Sequence, residues 1–591
     1  MAELREAESM TAVAGKRVSL PLGPSANPTP DRFLSTWLVF AASPAKVLVL
    51  AALPVAAAIW ALLSPPVVVS KNMTWDLLFN LAGAWRLHLG QVAHVDFHEP
   101  VGQLSFLLTD AGFSLVGVGP RAFLAGAVLM TVALFAAAAT TALRRLPPLP
   151  AAIFVMFVCL LALMPANVGG KPTAYTFAMS YNRYGWGCIS VLFLILFQPP
   201  RPWRWGDAVD IAVAAGLLVA MFYLKMTYFL VGIAALPVAA VVCAHVRGAP
   251  RGWCALGAGA FALAAAPVNR AYWADLFAAA GAGQMRDVFA DYLENLLQYS
   301  AEYAPYIAAL AVAIWMWRRR DAPLQLPVAT GFILVAGMAL LSQNAQVHGL
   351  PAAVVISFLF YGVLRERHVQ HLRGGTGPLL ALLIFPLLSA VTSMASLAGY
   401  NITASGQGLR TLHGTNLRGL AVPAASSGLL AAFAGSRPDY HLLNRARAAS
   451  PLYELTSSEY VETLLDAVAL LGEAPGRHGG IVVLDQVNPF PFMLGLAPPR
   501  GGNLWSGPDS PEQDPGKLFA DANRVLVPKF STYGFWTQQA LARYEPYLKR
   551  HFPLRSESER WILLSRGPAV PETDENHLPT PEELSVSQAP K

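Results

Sequence analysis

Long uncharged apolar runs constrain this chain more than any other feature. Residues 47–69, 122–143 and 226–244 carry no charged side chain, and each reaches the ~20 residues a helix needs to cross ~30 Å of hydrocarbon. In lipid every backbone polar group must be satisfied internally, so such runs have to be helices. Composition points the same way. Charged residues make up 13% and hydrophobics 55%, against the roughly 25% charge usual in soluble domains, and the mean hydropathy is +0.44. A globule of 591 residues could not be solvated by so few charges. The expected fold class is a polytopic α-helical membrane protein.

The net charge is +6 and the pI about 9.1, but the basic residues sit mainly between apolar runs. That is the positive-inside pattern and not a phosphate-binding surface, so nucleic acid is not an expected partner. Cys159, Cys188, Cys243 and Cys254 lie in or beside apolar segments without a CxxC pair, which supports neither a disulfide framework nor a cysteine zinc site. Glu3, Glu6 and Glu8 precede any apolar stretch, so residues 1–45 read as a largely disordered cytoplasmic leader and not a signal peptide.

Twelve apolar stretches are candidates for spans, centred near residues 57, 110, 132, 158, 192, 216, 235, 260, 311, 335, 357 and 387. If all crossed, the arginine pairs would alternate sides without pattern. The weakest is 102–117, which is short, contains Asp110 and is broken by Gly112. Treated as a juxtamembrane or re-entrant helix, it leaves about eleven spans. Arg144/Arg145, Arg201/Arg204, Arg247/Arg251, Arg318 to Arg320 and the Arg365-Glu366-Arg367-His368 run then all become cytoplasmic. External loops fall at 70–120, 167–183 and 269–303, inside a membrane domain of residues 46–397.

From residue 398 the statistics become those of a soluble protein. Residues 457–473 form an amphipathic pattern opened by Ser and closing near Gly472, which predicts a helix. Residues 481–484, 525–527 and 561–564 read as buried strands, with a helix over 535–551 between the last two. Alternating helices and strands predict an extracytoplasmic α/β domain over 398–567. Residues 568–591 are rich in Pro, Glu, Ser and Thr without apolar periodicity, and read as disordered. There is no evident internal repeat.

The first external loop carries the richest chemistry. It reads Lys71-Asn72-Met73-Thr74-Trp75-Asp76, then a helix-like stretch over 77–89, then Gly90 and Val95-Asp96-Phe97-His98-Glu99-Pro100. Thr74 as N-cap would place Asp76 in the first turn, where a carboxylate meets the positive end of the helix dipole. Stabilising that terminus is one role for Asp76.

The stretch from Asp76 to Gly102 resembles the first loop of GT-C membrane glycosyltransferases, and is similar to that of protein O-mannosyltransferases and lipid A aminoarabinose transferases. The likeness covers about thirty residues of motif, and the hydrophobic layout with an external C-terminal domain extends it across the chain. Two departures stand out: many relatives have Asp-Glu where this chain has Asp76-Leu77, and their double proline is here Glu99-Pro100. The resemblance implies that Asp76 is a catalytic base, that the donor is a polyprenyl-phosphate sugar, that transfer inverts the anomeric centre, and that the protein sits in a bacterial inner membrane. A phosphate leaving group needs no second carboxylate as acid, unlike the pair in glycoside hydrolases. At its reference pKa of ~3.9 an aspartate is ionised at neutral pH.

Cations for the donor phosphate are expected at Lys225, a lone charge between two apolar runs that would otherwise snorkel to headgroups, and at Arg183. Arg183 ends a loop that also carries Lys171, and its other role is an interfacial anchor. Asp96, His98 and Glu99 would position the acceptor, hold a divalent metal as in some GT-C relatives, or simply brace a turn. Gln343, Asn344, Gln346 and His348 form an external polar turn that is either solvated or sugar-facing. Trp60, Trp75, Trp186 and Trp273 read as interfacial belt residues. Residues 487–492 and 498–505 read as surface loops suited to recognition, and Asp485 as a turn residue or a sugar-hydroxyl ligand. There is no Walker loop and no GxGxxG opening a helix.

These readings converge on an integral-membrane glycosyltransferase acting on a lipid, glycan or protein acceptor. Its rivals are a lipid or solute transporter with an accessory domain, which calls for ionisable residues near the bilayer midplane, and a non-catalytic envelope assembly protein on the same fold.

Overall fold

The computed structural model describes residues 43–168, 175–282, 300–343, 349–366, 390–399, 408–424, 455–473, 480–529 and 536–567, apart from a few positions inside and between these stretches. His348, Lys171, Asn344, Gln346, residues 1–42 of the leader and the 568–591 tail lie outside them, while the last two leader residues already belong to the first helix.

The membrane half runs α1 (Pro44–Leu63), β1 (Val68–Val69), α2 (Thr74–His88), α3 (Leu104–Val116), α4 (Pro120–Arg145), α5 (Pro148–Leu163), α6 (Ser180–Phe197), α7 (Gly206–Leu224), α8 (Met226–Val242), α9 (Pro250–Ala265), α10 (Arg270–Gly281), α11 (Ser300–Arg318), α12 (Gln325–Gln343) and α13 (Ala353–Glu366). Proline occupies the first turn of α1, α4, α5 and α9, where its missing N–H removes no helical bond and its fixed φ suits the helix.

Four helices, Lys46–Leu63, Pro120–Arg145, Gly206–Leu224 and Gln325–Gln343, are long and apolar enough to cross a membrane. A fifth crossing is available if Pro250–Ala265 and Pro267–Gly281, bent by 52°, act as one broken span. Shorter apolar helices include Leu104–Val116, Pro148–Leu163 and Met226–Val242. The 102–117 segment forms the 13-residue helix α3, which crosses α4 so closely that a Cβ on Gly112 would lie 2.0 Å from the Ala122 carbonyl oxygen.

Basic residues gather at one end of this bundle. Arg145 Nη2 meets Asp210 Oδ2 at 2.7 Å, the Arg201 N–H donates to the Arg144 carbonyl, His245 Nε2 lies 3.2 Å from the Ile195 carbonyl oxygen, and Gln325 donates to the Phe197 carbonyl. The ends of α4, α6 and α8 thus meet the starts of α7 and α12. The first-loop helix α2, the start of α6 and the α7–α8 junction lie at the other end.

The C-terminal half contains β2 (Leu409–Thr411), β3 (Leu420–Pro423), α14 (Ser457–Glu473), β4 (Gly480–Val483), β5 (Ala522–Pro528), α15 (Trp536–His551), β6 (Leu554–Glu557) and β7 (Trp561–Ser565). One sheet has the order β4-β5-β7-β6, with β4 and β5 parallel and the rest antiparallel. The exposed strand β6 has no apolar signature and escaped the sequence reading. A second sheet, β1-β3-β2, pairs Val68 and Val69 at the exit of α1 with Leu420 and Ala421, so it ties the two halves together. The cap of α14 is Thr456, whose hydroxyl accepts from Glu459 N–H while the Glu459 carboxylate accepts from Thr456 N–H. This capping box places Ser457 inside the helix.

Two sequence expectations are overturned by packing and a third is qualified. Trp186 is fully buried against Tyr228, with ring centres 5.6 Å apart, and is a core residue instead of a belt residue. Phe490 and Phe492 are fully buried, with Phe492 stacked on Phe113 at 5.9 Å, because two phenylalanines in a short helix (Phe490–Leu494) gain more by inserting under α2 than by facing water. The 498–505 segment is a loop, as expected, but one side of it is tied down. It lies along the first loop, where Arg86 Nη1 donates to the Pro499 carbonyl at 2.7 Å, Gln91 Nε2 to Pro498 at 2.7 Å, His98 N–H to Gly502 at 3.0 Å and Leu504 N–H to His98 at 2.9 Å.

Candidate active site

Asp76 stands in the first turn of α2, but Thr74 is not its cap. The cap position belongs to Met73, in the left-handed region at φ 53°, and Thr74 is buried with its hydroxyl 2.9 Å from that of Ser70. Met179, which precedes α6, is also left-handed at φ 51°, and its N–H donates to the Asp76 carboxylate. His94 is the third such residue in this region, at φ 66°. A non-glycine residue held there costs about 1–3 kcal/mol and persists only where surroundings over-determine it. Here they do: Asn72 N–H donates to the Tyr175 carbonyl and the Thr176 hydroxyl to the Asn72 carbonyl, so the entries to α2 and α6 are pinned to each other.

Asp76 is buried, and burial raises its carboxyl to about 7 against the pull of the Met179 N–H. The expectation of an aspartate fully ionised at neutral pH is therefore corrected: removal from water disfavours the charged form. A general base works best when its pKa lies near the working pH. Tyr181, in the first turn of α6, feels the charge of both Asp76 and Glu99, and the Lys225 ammonium lies 5.5 Å from its ring centre. Lys225 itself occupies the extended break between α7 and α8.

Glu99 is the second buried carboxyl. Burial raises it to about 8, while N–H groups of Val101 and Trp505 and the charge of Lys225 pull it down and Asp275 pushes it up. Its Oε2 is buried with no hydrogen-bond partner among the described residues. The loop reaches Lys225 because Gly102 has no side chain: its N–H donates to the Leu224 carbonyl at 3.1 Å, and a Cβ there would stand 2.2 Å from the Tyr223 oxygen.

Sequence reasoning missed Asp275 on α10. One of its oxygens accepts from His98 Nδ1–H at 2.8 Å, the other from His94 Nδ1–H at 2.9 Å and the Glu99 N–H at 3.0 Å. It also missed Tyr460 at the start of α14, whose hydroxyl is held well above its ordinary pKa by burial and by Asp485 and Asp76, and which packs edge-on to Trp75 at 5.7 Å. No local pattern marks either residue, since each reaches the site from a distant element. A cleft of about 230 Å³ opens beside Glu99, lined by His98, Asp275, Asn503, Trp505 and Gln513 among others.

The remaining residues separate. Arg183 is buried, with Nη1 donating to the Ala166 and Ala178 carbonyls at 3.2 and 3.0 Å, and so holds the loop entering α6. Asp96 accepts from the Val92 N–H at 2.8 Å and faces Arg500 at 3.4 Å, which braces the turn. Among the described residues no three His, Cys, Asp or Glu side chains are arranged as a metal-ligand set; His94 and His98 are instead both directed at Asp275.

No protein-family model and no curated protein matches this sequence. Among solved structures the chain is similar to the crystal structure of ArnT from Cupriavidus metallidurans in the apo state, at 12% identity and a TM-score of 0.39, over 91% of this chain and 100% of that one.

Proposed function

We propose that the chain is an integral-membrane glycosyltransferase of GT-C type. It transfers a sugar from a polyprenyl-phosphate donor to an acceptor hydroxyl on the extracytoplasmic side of a bacterial inner membrane. About eleven spans and an extracytoplasmic C-terminal domain complete this reading. The observation that carries it is the buried Asp76 carboxyl, raised to about 7, in a site that also holds Lys225 and Tyr181.

In the reaction the Asp76 carboxylate takes the proton from the acceptor hydroxyl as its oxygen attacks the anomeric carbon. The bond from that carbon to the phosphate oxygen breaks with its electron pair, and polyprenyl phosphate leaves. Attack opposite the leaving group inverts the centre. Lys225 neutralises the departing phosphate, while Arg183 acts one step removed, by holding the α6 entry that presents Met179 and Tyr181. Glu99, protonated at neutral pH, donates from its unpartnered oxygen to a hydroxyl of the sugar or acceptor, and His98 shapes the same cleft.

The test is to incubate purified protein with polyprenyl-phosphate sugars and follow consumption of the lipid-linked sugar. Wild type consumes it. Asp76→Asn folds and inserts as wild type does yet loses about 10²–10⁴-fold in rate. Retained transfer in that variant removes Asp76 from the mechanism, and no turnover by wild type across the donor panel removes the transferase reading.

A further inference from the structure

The basic end of the bundle holds a second built site, remote from Asp76. A cleft of about 440 Å³ is lined by Arg144, Pro200, Arg201, Pro202, Trp203, Arg204 and Asp207. Including the adjoining Arg145 and Asp210, four arginines face two aspartates, so the site carries an excess of positive charge. Arg145 Nη2 is matched by Asp210 at 2.7 Å. Arg144 shares that carboxylate through Nη1 and also donates to the Gly206 carbonyl at 2.9 Å, yet its Nε is buried with no partner among the described residues. A buried donor left unpaired is costly, and an anion seated beside it removes that cost.

The local fold holds the cleft open. Gly206 lets the Arg144 guanidinium cross the start of α7, since a Cβ there would lie 2.3 Å from Nη2. The first turn of this 19-residue helix adds its positive dipole end. Arg144 lies over the Trp203 ring at 5.5 Å and Arg204 over Trp205 at 5.2 Å. Both tryptophans are more than half exposed, at 55% and 59%, and they stand where two membrane-length helices, Pro120–Arg145 and Gly206–Leu224, respectively end and begin. Exposed tryptophan at that depth is what the headgroup layer selects, and a basic pocket between helices there suits an anionic headgroup.

We propose that this cleft binds the phosphate of an anionic lipid in the leaflet at the basic end of the bundle. The phosphate sits between Arg201, Arg204 and the Arg144 Nε–H, with the glycerol backbone against Trp203. Soluble phosphate shares the chemistry, but the paired tryptophans at the bilayer edge favour the lipid. The site depends on the membrane placement of the helices and not on sugar transfer.

The full chain in neutral detergent is titrated with phosphatidylglycerol, phosphatidylcholine or inorganic phosphate, and bound molecules are counted by native mass spectrometry. Phosphatidylglycerol is expected to bind in preference to phosphatidylcholine. The R201A/R204A variant is expected to weaken it about tenfold, while R247A/R251A, which removes equal charge from the same end, leaves affinity at the wild-type level. Both cleft arginines are exposed, so the variant should melt with wild type. If it melts early, R204E alone gives the same reading. Equal affinity in wild type and both cleft variants overturns the proposal, as does an equal loss in R247A/R251A. Displacement of the lipid by inorganic phosphate overturns the lipid assignment.

Discussion

The Lys225 ammonium stands 5.5 Å from the centre of the Tyr181 ring, which joins the break between two apolar helices to the start of a third. Tyr181 in turn lies within electrostatic reach of both buried carboxyls, Asp76 and Glu99. One acid is therefore within reach of a cation and the other of a helix-entry N–H, so the two carboxyls differ in what moderates the effect of burial.

The first prediction concerns rate against pH. If Asp76 is the base and Glu99 a hydrogen-bond donor, transfer needs the first ionised, at about 7, and the second protonated, at about 8. The profile of kcat/KM should be a narrow bell that falls below neutrality and again on the alkaline side. Glu99→Gln should remove the alkaline limb and keep the acid one. An unaltered alkaline limb in that variant would assign it to another group.

Stability should run the opposite way to a salt-bridged acid. Both folded-state values lie above the ordinary carboxylate range, so the native state binds these protons more tightly than the unfolded chain. Their stabilising contribution is complete below about pH 4. It is lost as pH rises through about 7 for Asp76 and about 8 for Glu99. Thermal melts of wild type and Asp76→Asn between pH 5 and 8 should diverge, with the variant gaining relative stability as pH rises. Parallel curves would show that the carboxyl is not desolvated.

If Lys225 neutralises the leaving phosphate, Lys225→Ala should lower kcat/KM for the lipid-linked donor about 10²-fold. Lys225→Arg should restore part of it, because charge matters more than shape at a phosphate. Equal activity of all three proteins would return Lys225 to a headgroup-facing role.

Asp275 braces the first loop through His94, His98 and the Glu99 N–H. Asp275→Ala leaves three donors without their acceptor, two of them imidazole N–H groups, and should cost about 3 kcal/mol. It should also expose the 91–99 loop to limited proteolysis. An unchanged melting temperature would rule out the brace.

Wherever the information was local, the elements were legible in the sequence. The Ser457–Glu473 helix and strands β4, β5 and β7 appear within a residue or a few of their expected bounds, because periodic burial leaves a periodic pattern. The exposed strand β6 left none. The same limit applies at the site. Asp76 stood out because its motif is contiguous with the first apolar run, and Glu99 because it lies in the same loop. Asp275 and Tyr460 are separated from that loop by some 175 to 360 residues, and nothing in their neighbourhoods marks them.

What the sequence determined by itself is the solvent and the alphabet of elements: uncharged runs of span length need hydrocarbon around them, and a polar, alternating C-terminal stretch needs water. The acidity of the two carboxyls was decided only in three dimensions. Asp76 has an ordinary aspartate's pKa in an extended chain and one near 7 once α2, α6 and α14 close over it, because desolvation depends on which atoms surround a charge and not on which residues precede it.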